Sequence, residues 1–340
     1  MKKLFVLFVS VLLSASCFTV YSQDPIMTRS FTASSIKEVE SITAGGSLIL
    51  TGDAGSDAKV EVFVSRNNWS NDRIKQVLDE NYTIEIKVEN GKLYAVAKQK
   101  QNIANWNQQG LSISFKISVP KQVNSKLRTS GGSIQISNLS GSQDFRTSGG
   151  SLKVENVSGN ITGMTSGGSI TVIGSEDNIN LRTSGGSITA KDCTGKIDLN
   201  TSGGSLNMSN LNGTISAGTS GGSITANNIQ GTLKTGTSGG SVRLDGISGN
   251  VEATTSGGSM DVKMKSVSDF VKLSSSGNIN LRLPADRGYN LNIRSNKLET
   301  PNGWRNFSGR SDDRSVDGTI NGGGAEINVR SSQRVRLSFE

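Results

Sequence analysis

The chain has 340 residues, of which 19% are charged and 5% aromatic, with a formal charge of +8, two cysteines and no histidine. The missing histidine removes the commonest general base, proton shuttle and metal ligand. Two cysteines exclude a disulfide-stapled scaffold.

Met1-Lys2-Lys3 precedes an apolar run from Leu4 to Leu13 and then small polar residues. That is the charged, apolar and cleavage-region order of an export signal, and the run is too short to span a bilayer. The expected cut lies between Ser22 and Gln23, leaving an exported mature chain that is periplasmic, outer-surface or secreted. The rival reading acylates Cys17, but a lipobox calls for an aliphatic residue three places earlier, where Ser14 stands. Cys193 is then alone in the mature chain, and no later segment is apolar enough to cross a membrane.

Residues 23–127 read as a β-rich head or cap. Val60-Glu61-Val62-Phe63-Val64 predicts a strand. Ile84 to Val88, then Asn90-Gly91, then Leu93 to Val96 predict a hairpin, because Asn-Gly accepts the positive φ angles of a primed turn. Leu111 to Val119 alternates apolar and polar and stops at Pro120. One helix is expected, with Ser70 as its cap and Ile74, Val77 and Leu78 on one face. Ala44-Gly45-Gly46-Ser47 is a degenerate copy of a phrase that dominates the middle of the chain.

That phrase is Thr-Ser-Gly-Gly-Ser, repeated eight times at an interval of 18 residues without an insertion. Its threonines and glycine pairs are Thr129 with Gly131 and Gly132, Thr147 with Gly149 and Gly150, Thr165 with Gly167 and Gly168, Thr183 with Gly185 and Gly186, Thr201 with Gly203 and Gly204, Thr219 with Gly221 and Gly222, Thr237 with Gly239 and Gly240, and Thr255 with Gly257 and Gly258. Numbering each repeat from its Thr, position 6 is always apolar (Ile134, Leu152, Ile170 and onward) and position 8 apolar or small. Position 11 is mostly apolar, as in Leu139, Cys193 and Ile229, and position 13 is Gly in six copies. Two period-2 strands per repeat are expected, around positions 5–9 and 14–18, joined by glycine-bearing turns at 2–4 and 12–13. One apolar face per strand cannot be buried by a single repeat, whereas stacked copies bury it continuously. The expected fold is all-β: a single-stranded parallel, right-handed β-helix or solenoid with 18-residue coils and an N-terminal β-rich cap. A left-handed hexad alternative fits poorly, because the six-spaced sets mix apolar with polar residues. The glycine pairs are expected to mark corners of unusual backbone geometry where a side chain would clash with the next coil. The hydroxyls are expected to bond each other or the turn backbone. Regular coils span 128–280, and Ser274 to Ile279 is an eroded ninth copy displaced by one residue. Residues 281–340 form irregular last coils with a final strand near Val335-Arg336-Leu337.

The Gly-Gly-Ser start of the head, the run of Thr-Ser-Gly-Gly-Ser-Ile coils and the closing Asn321-Gly322-Gly323-Gly324-Ala325-Glu326-Ile327 segment resemble the bacterial putative-adhesin β-solenoids of the DUF4097, head-domain type. The resemblance covers roughly residues 36–340, and Tyr21-Ser22-Gln23 resembles signal ends of Bacteroidetes. It implies an envelope or surface location and adhesion. It brings no catalytic residues and no cofactor.

The residues themselves carry little reaction chemistry. Asp192, Asp198, Asp245, Glu252 and Asp261 fall on different coils, so solvated strand charges explain them better than a polysaccharide-cleaving carboxylate cluster. The corners lack the Asp of calcium-binding β-rolls. Cys193 reads as a small core residue. Phe145 and Phe270 read as core plugs, and Trp69, Trp106 and Trp304 as packing outside the coils. An exposed Thr row of the kind that binds ice or crystalline glycan is disfavoured by its place beside a glycine corner. The repeats Thr129–Lys272 carry ten basic and ten acidic residues, so the excess charge lies in the flanks, at Arg287, Arg294, Arg305, Arg310, Arg314, Arg330, Arg334 and Arg336. Aspartates interrupt that basic flank, and no nucleic-acid motif accompanies it. The leading expectation is a non-enzymatic exported adhesin or structural spacer whose partner is a surface glycan or an extracellular or envelope protein. The alternatives are a degenerate polysaccharide-binding or -processing β-helix, and an envelope-stress or signalling accessory.

Overall fold

A computed structural model describes residues 24–53, 55–100, 110–301 and 306–340. The expected signal, its cut at Ser22 and Gln23, the Cys17 alternative, Trp106, Trp304 and Arg305 lie outside the described residues. The fold is all-β with a solenoid-like repeat, and the one described helix longer than a turn is Asn71–Asn81. Ser70 Oγ accepts the Arg73 amide at 3.4 Å, and Ile74 and Val77 are buried beneath that helix.

Strand pairing follows the repeat. Leu152 lies parallel to Ile134 on one side and Ile170 on the other, and Ile170 to Ile188, each an offset of 18 residues. The second strand of each repeat does the same, as in Ile161 beside Ile179 and Ile179 beside Ile197. Positions 6, 8, 11, 15 and 17 point inward and form ladders of buried Ile, Leu, Val, Ala and Met. The period-2 alternation puts the intervening polar residues outside. Burying such aliphatic side chains contributes roughly 1.5–3 kcal/mol each before the entropy of ordering the chain is subtracted.

Packing is adjusted between rungs where side chains differ in size. Phe145 is fully buried, and the next rung has Gly163 in the same row. A Cβ there would lie 2.4 Å from the Phe145 ring. Phe270, by contrast, is not a core plug: it is half-exposed, with Lys272 Nζ 4.7 Å above its ring. The eighth repeat explains this difference. Val271 pairs with Val251 and Ser275 with Thr255, so that coil is two residues longer than the others and turns the Phe270 ring out.

The glycine-pair corner lies where the sequence places it, as a bend at positions 2–4 in which a side chain on the second glycine would meet the next rung, but its backbone geometry and the place of the second turn differ from expectation. None of the Thr-Ser-Gly-Gly-Ser glycines occupies the left-handed region. Left-handed backbone appears instead at position 10, where Asn138, Asn156, Gly174, Asp192, Asn210, Asn228 and Gly246 have φ between 54° and 69°. Asn, Asp and Gly are the residues that tolerate that conformation. Gly141, Gly159, Gly195, Gly213, Gly231 and Gly249 at position 13 also have positive φ, but they lie within paired strands rather than in a turn.

Rung order and chain order part company at both ends. Glu38–Ile42 lies between Lys92–Gln99 and Asn124–Arg128, and Leu48–Asp53 lies between Ser112–Pro120 and Ile134–Ser137. An early segment of the 23–127 head is thus a rung inside the stack. At the other end Ala325–Ser331 is inserted between Phe270–Ser275 and Tyr289–Arg294, and Arg334–Phe339 between Ile279–Leu283 and Lys297–Glu299. Antiparallel strands cover the outer edges: Met27–Thr32 on Asp57–Ser65, Tyr82–Glu89 on Lys92–Gln99, and Phe307–Ser311 on Ser315–Ile320. The sheet network is therefore mixed. These antiparallel strands cap the parallel stack, each pairing on one side only among the described residues.

Candidate functional site

The repeated phrase is a backbone device. Each of its eight threonines is only 2–8% exposed. Each Oγ1 donates to the carbonyl of the second corner glycine on the preceding rung, at 2.7–2.8 Å, from Thr129 to Gly46 through Thr255 to Gly240. The same oxygen accepts the amide of the second glycine in its own rung, at 3.2–3.4 Å. The threonines therefore present no exposed row to a flat ligand. The closing serines form a second ladder, with Ser151 N donating to Ser133 Oγ at 3.2 Å and Ser205 N to Ser187 Oγ at 3.1 Å. Thr43 plays the threonine role in the degenerate copy, donating to the Ile113 carbonyl at 2.8 Å.

The two corner glycines differ in what they need. A Cβ on the second, as at Gly204, would stand 2.0 Å from the Gly186 carbonyl oxygen; on the first, as at Gly203, its nearest neighbour would be 3.5 Å away. Only the second is required by close approach of the next rung.

Four of the five scattered carboxylates, Asp192, Asp198, Glu252 and Asp261, are held by cations or amides rather than by one another. Asp198 faces Arg182 at 3.5 Å, Glu252 faces Lys234 at 3.0 Å, and Asp261 faces Arg282 at 2.8 Å. Asp192 accepts from Asn210 at 2.7 Å. Among the described residues no three His, Cys, Asp or Glu side chains converge as a metal site would require. The Cys193 thiol is fully buried, and burial raises its pKa above the ordinary value, so it is held as the unreactive thiol. Trp69 packs partly against the core, with the Arg73 and Arg66 guanidiniums 4.3 and 5.4 Å from its ring.

The basic flank does not gather into one patch. Glu299 takes Arg336 at 2.8 Å and Arg334 at 3.3 Å, and these cations hold its carboxyl below the usual range. Arg287 donates to the Val267 carbonyl at 3.3 Å. Among the described arginines of that group, only Arg294 and Arg330 line a groove of about 630 Å³ at the C-terminal end of the stack, together with Thr254, Ser256, Ser274, Ser276, Ser295, Asn296 and Ser332. In residue order Arg294 and Arg330 belong to a diffuse basic flank. Their adjacency depends on the inserted rung, and the 36-residue offset between their strands, two repeat periods, is the one signal that hinted at it.

Stacked β-rungs joined by a Thr–Gly ladder define a solenoid-like all-β repeat protein. The chain belongs to the Toastrack DUF4097 family, whose model matches residues 50–333. No curated protein matches it. Among solved structures it is similar to a putative cell adhesion protein from Clostridium sporogenes (11% identity over 92% of this chain and 98% of that one, TM-score 0.20). It is also similar to a putative adhesin from Bacteroides fragilis (15% identity, 76% and 96% covered, TM-score 0.33) and a putative lipid binding protein from Parabacteroides distasonis (15% identity, 93% and 97% covered, TM-score 0.31). At these identities and scores no role transfers from them. No described helix is long and apolar enough to cross a membrane.

Proposed function

We propose that this chain is a non-enzymatic, exported β-solenoid that acts at the cell envelope as an adhesin or spacer, holding a binding end away from its anchor. The carrying observation is that the repeats commit their threonine hydroxyls to backbone carbonyls of the neighbouring rung. A row so committed has no free nucleophile and builds a stiff support. The absence of histidine from the sequence and the pairing of carboxylates with cations favour binding over catalysis. In this reading the coils wind right-handed, residues 128–280 are the regular stem, and 23–127 and 281–340 are its differentiated ends. The partner is a surface glycan or an extracellular or envelope protein. Export rests on the Lys2-Lys3 and Leu4–Leu13 segment, with the mature chain starting at Gln23.

The test is twofold. Purified mature chain is applied to arrays of glycans and extracellular matrix proteins, and attachment is compared between cells with and without the gene. Binding to a defined class together with reduced attachment supports the reading; silence on every array with unchanged attachment sinks it. Mass spectrometry of the mature N-terminus separates a start at Gln23 from a lipidated Cys17.

A further inference from the structure

Arg128 and Arg146 face each other on adjacent parallel rungs near the N-terminal end, but those two share the carboxylate of Asp144; the C-terminal groove holds an arginine pair with less compensation. Arg294 and Arg330 are direct partners on adjacent parallel rungs. Rungs stand about 4.8 Å apart, and like charges set opposite each other in a sheet cost stability. The compensation in the protein is incomplete. Arg294 has Asp317 at 3.9 Å, whereas among the described residues the Arg330 guanidinium has no ion pair or hydrogen bond. Lys272, on the same face, adds a third cation two residues before Ser274 and leans over Phe270.

The row that holds the two arginines continues down the stem through Ser274, Thr254, Gly236 and Gly218. The glycines leave the row open, and the hydroxyls of Ser274 and Thr254 supply a donor and acceptor on successive rungs. Ser295 Oγ, at the groove wall, is buried and among the described residues has no hydrogen-bond partner, an arrangement that destabilises the fold unless something satisfies it.

We propose that this groove binds a linear acidic polysaccharide, lying along the stack axis with a carboxylate or sulfate held between Arg294 and Arg330. The site deepens the binding role proposed above and rests on it. An anion there relieves the arginine–arginine repulsion and accepts the forked hydrogen bonds that guanidinium groups offer. Hydroxyl-bearing side chains on successive rungs match a polymer that presents hydroxyls at a repeat close to one sugar unit. The lining has no aromatic face on which a nucleobase would stack and no apolar pocket for a peptide side chain.

The experiment titrates the full chain with polygalacturonate, dextran sulfate and uncharged dextran, at low and at moderate salt. The expected result is salt-sensitive binding of at least one acidic polymer and none of dextran. R330Q is expected to weaken that binding about tenfold, the loss of one charge-assisted contact, and the double variant R294Q/R330Q to abolish it. R336Q, whose guanidinium is held by Glu299 outside the groove, binds as the unmodified chain does. If R330Q shifts the thermal midpoint, R294Q carries the comparison. The proposal is overturned if neither acidic polymer binds, if dextran binds equally, or if R330Q and R294Q both bind like the unmodified chain. Array binding that survives both substitutions removes the groove and leaves the adhesive role standing; failure in every format removes both.

Discussion

Thr147 Oγ1 donates to the Gly132 carbonyl one rung away at 2.8 Å and accepts the Gly150 amide within its own rung at 3.3 Å. One buried hydroxyl thus links two rungs and closes a corner. Thr201 makes the same pair of bonds, to Gly186 and from Gly204. Thr201→Val keeps the shape and removes both, leaving a buried carbonyl and amide short of a partner, and should cost about 1–3 kcal/mol. Thr201→Ser should cost less. Guanidinium midpoints of the three proteins decide it, and an unchanged midpoint for the valine variant would show that the ladder does not stabilise the stack.

The corner glycines offer a contrast within one dipeptide. Gly204→Ala places a methyl 2.0 Å from the Gly186 oxygen, so two rungs must separate; Gly203→Ala meets nothing closer than 3.5 Å. The first should cost more than about 4 kcal/mol, in the range diagnostic of severe overpacking, and the second should stay within about 1 kcal/mol. Thermal midpoints and soluble yield separate the two, and equal effects would refute the close-approach explanation.

Position 10 makes a conformational prediction. Asn210 has φ 55° and joins an amide ladder between Asp192 and Asn228. Asn210→Ala should lose about 1–2 kcal/mol through left-handed strain and the missing ladder. Asn210→Gly, which imitates Gly174 and Gly246, should lose less. Alanine matching glycine in a melting series would contradict the strain argument.

The Cys193 thiol should resist alkylation in the folded protein and react promptly in denaturant, since burial disfavours the thiolate. The raised folded pKa fixes the sign of the pH dependence. Stability is fully present below the ordinary thiol value and is lost as pH rises toward the folded one. Cys193→Ala should therefore lose less stability than the unmodified chain between neutral and strongly alkaline pH. Fast native labelling with iodoacetamide would overturn the assignment of Cys193 as a sealed core residue.

Rung independence can be tested by deletion. Removing residues 201–218 joins Asn200 to Thr219 with every facing preserved, and should yield a folded protein shorter by about 4.8 Å. Removing 201–217 shifts the register by one residue, turns the inward rows outward on one side, and should yield aggregated protein. Small-angle scattering and circular dichroism distinguish the outcomes. Two equally folded products would mean that the inward ladders do not set the register.

Much of this architecture could be read from residue order. Strict recurrence of an apolar residue at position 6 and of Gly at position 4 forces like rows to stack, whatever the details of the corner. The Asn90-Gly91 hairpin and the Ser70-capped helix were legible because their signals are local. The left-handed corner at position 10 was written in the sequence as Asn, Asn, Gly, Asp, Asn, Asn and Gly, but it was obscured by the more uniform glycine at position 13. Phe270 departs from the core position its spacing predicts because the two extra residues of the eighth coil move the ring from core to surface without disturbing the phrase before it.

The sequence by itself determined the repeating unit, because a fixed period with one buried face has few stable packings. Tertiary structure decided the order of rungs at the ends and the groove that depends on it. Arg294 and Arg330 become neighbours only because Ala325–Ser331 enters the stack beside Tyr289–Arg294. Local propensity makes both segments strands. Which edge each one joins depends on the exposed apolar rows and unpaired backbone groups left by every other rung, a quantity that exists only once the stack has formed.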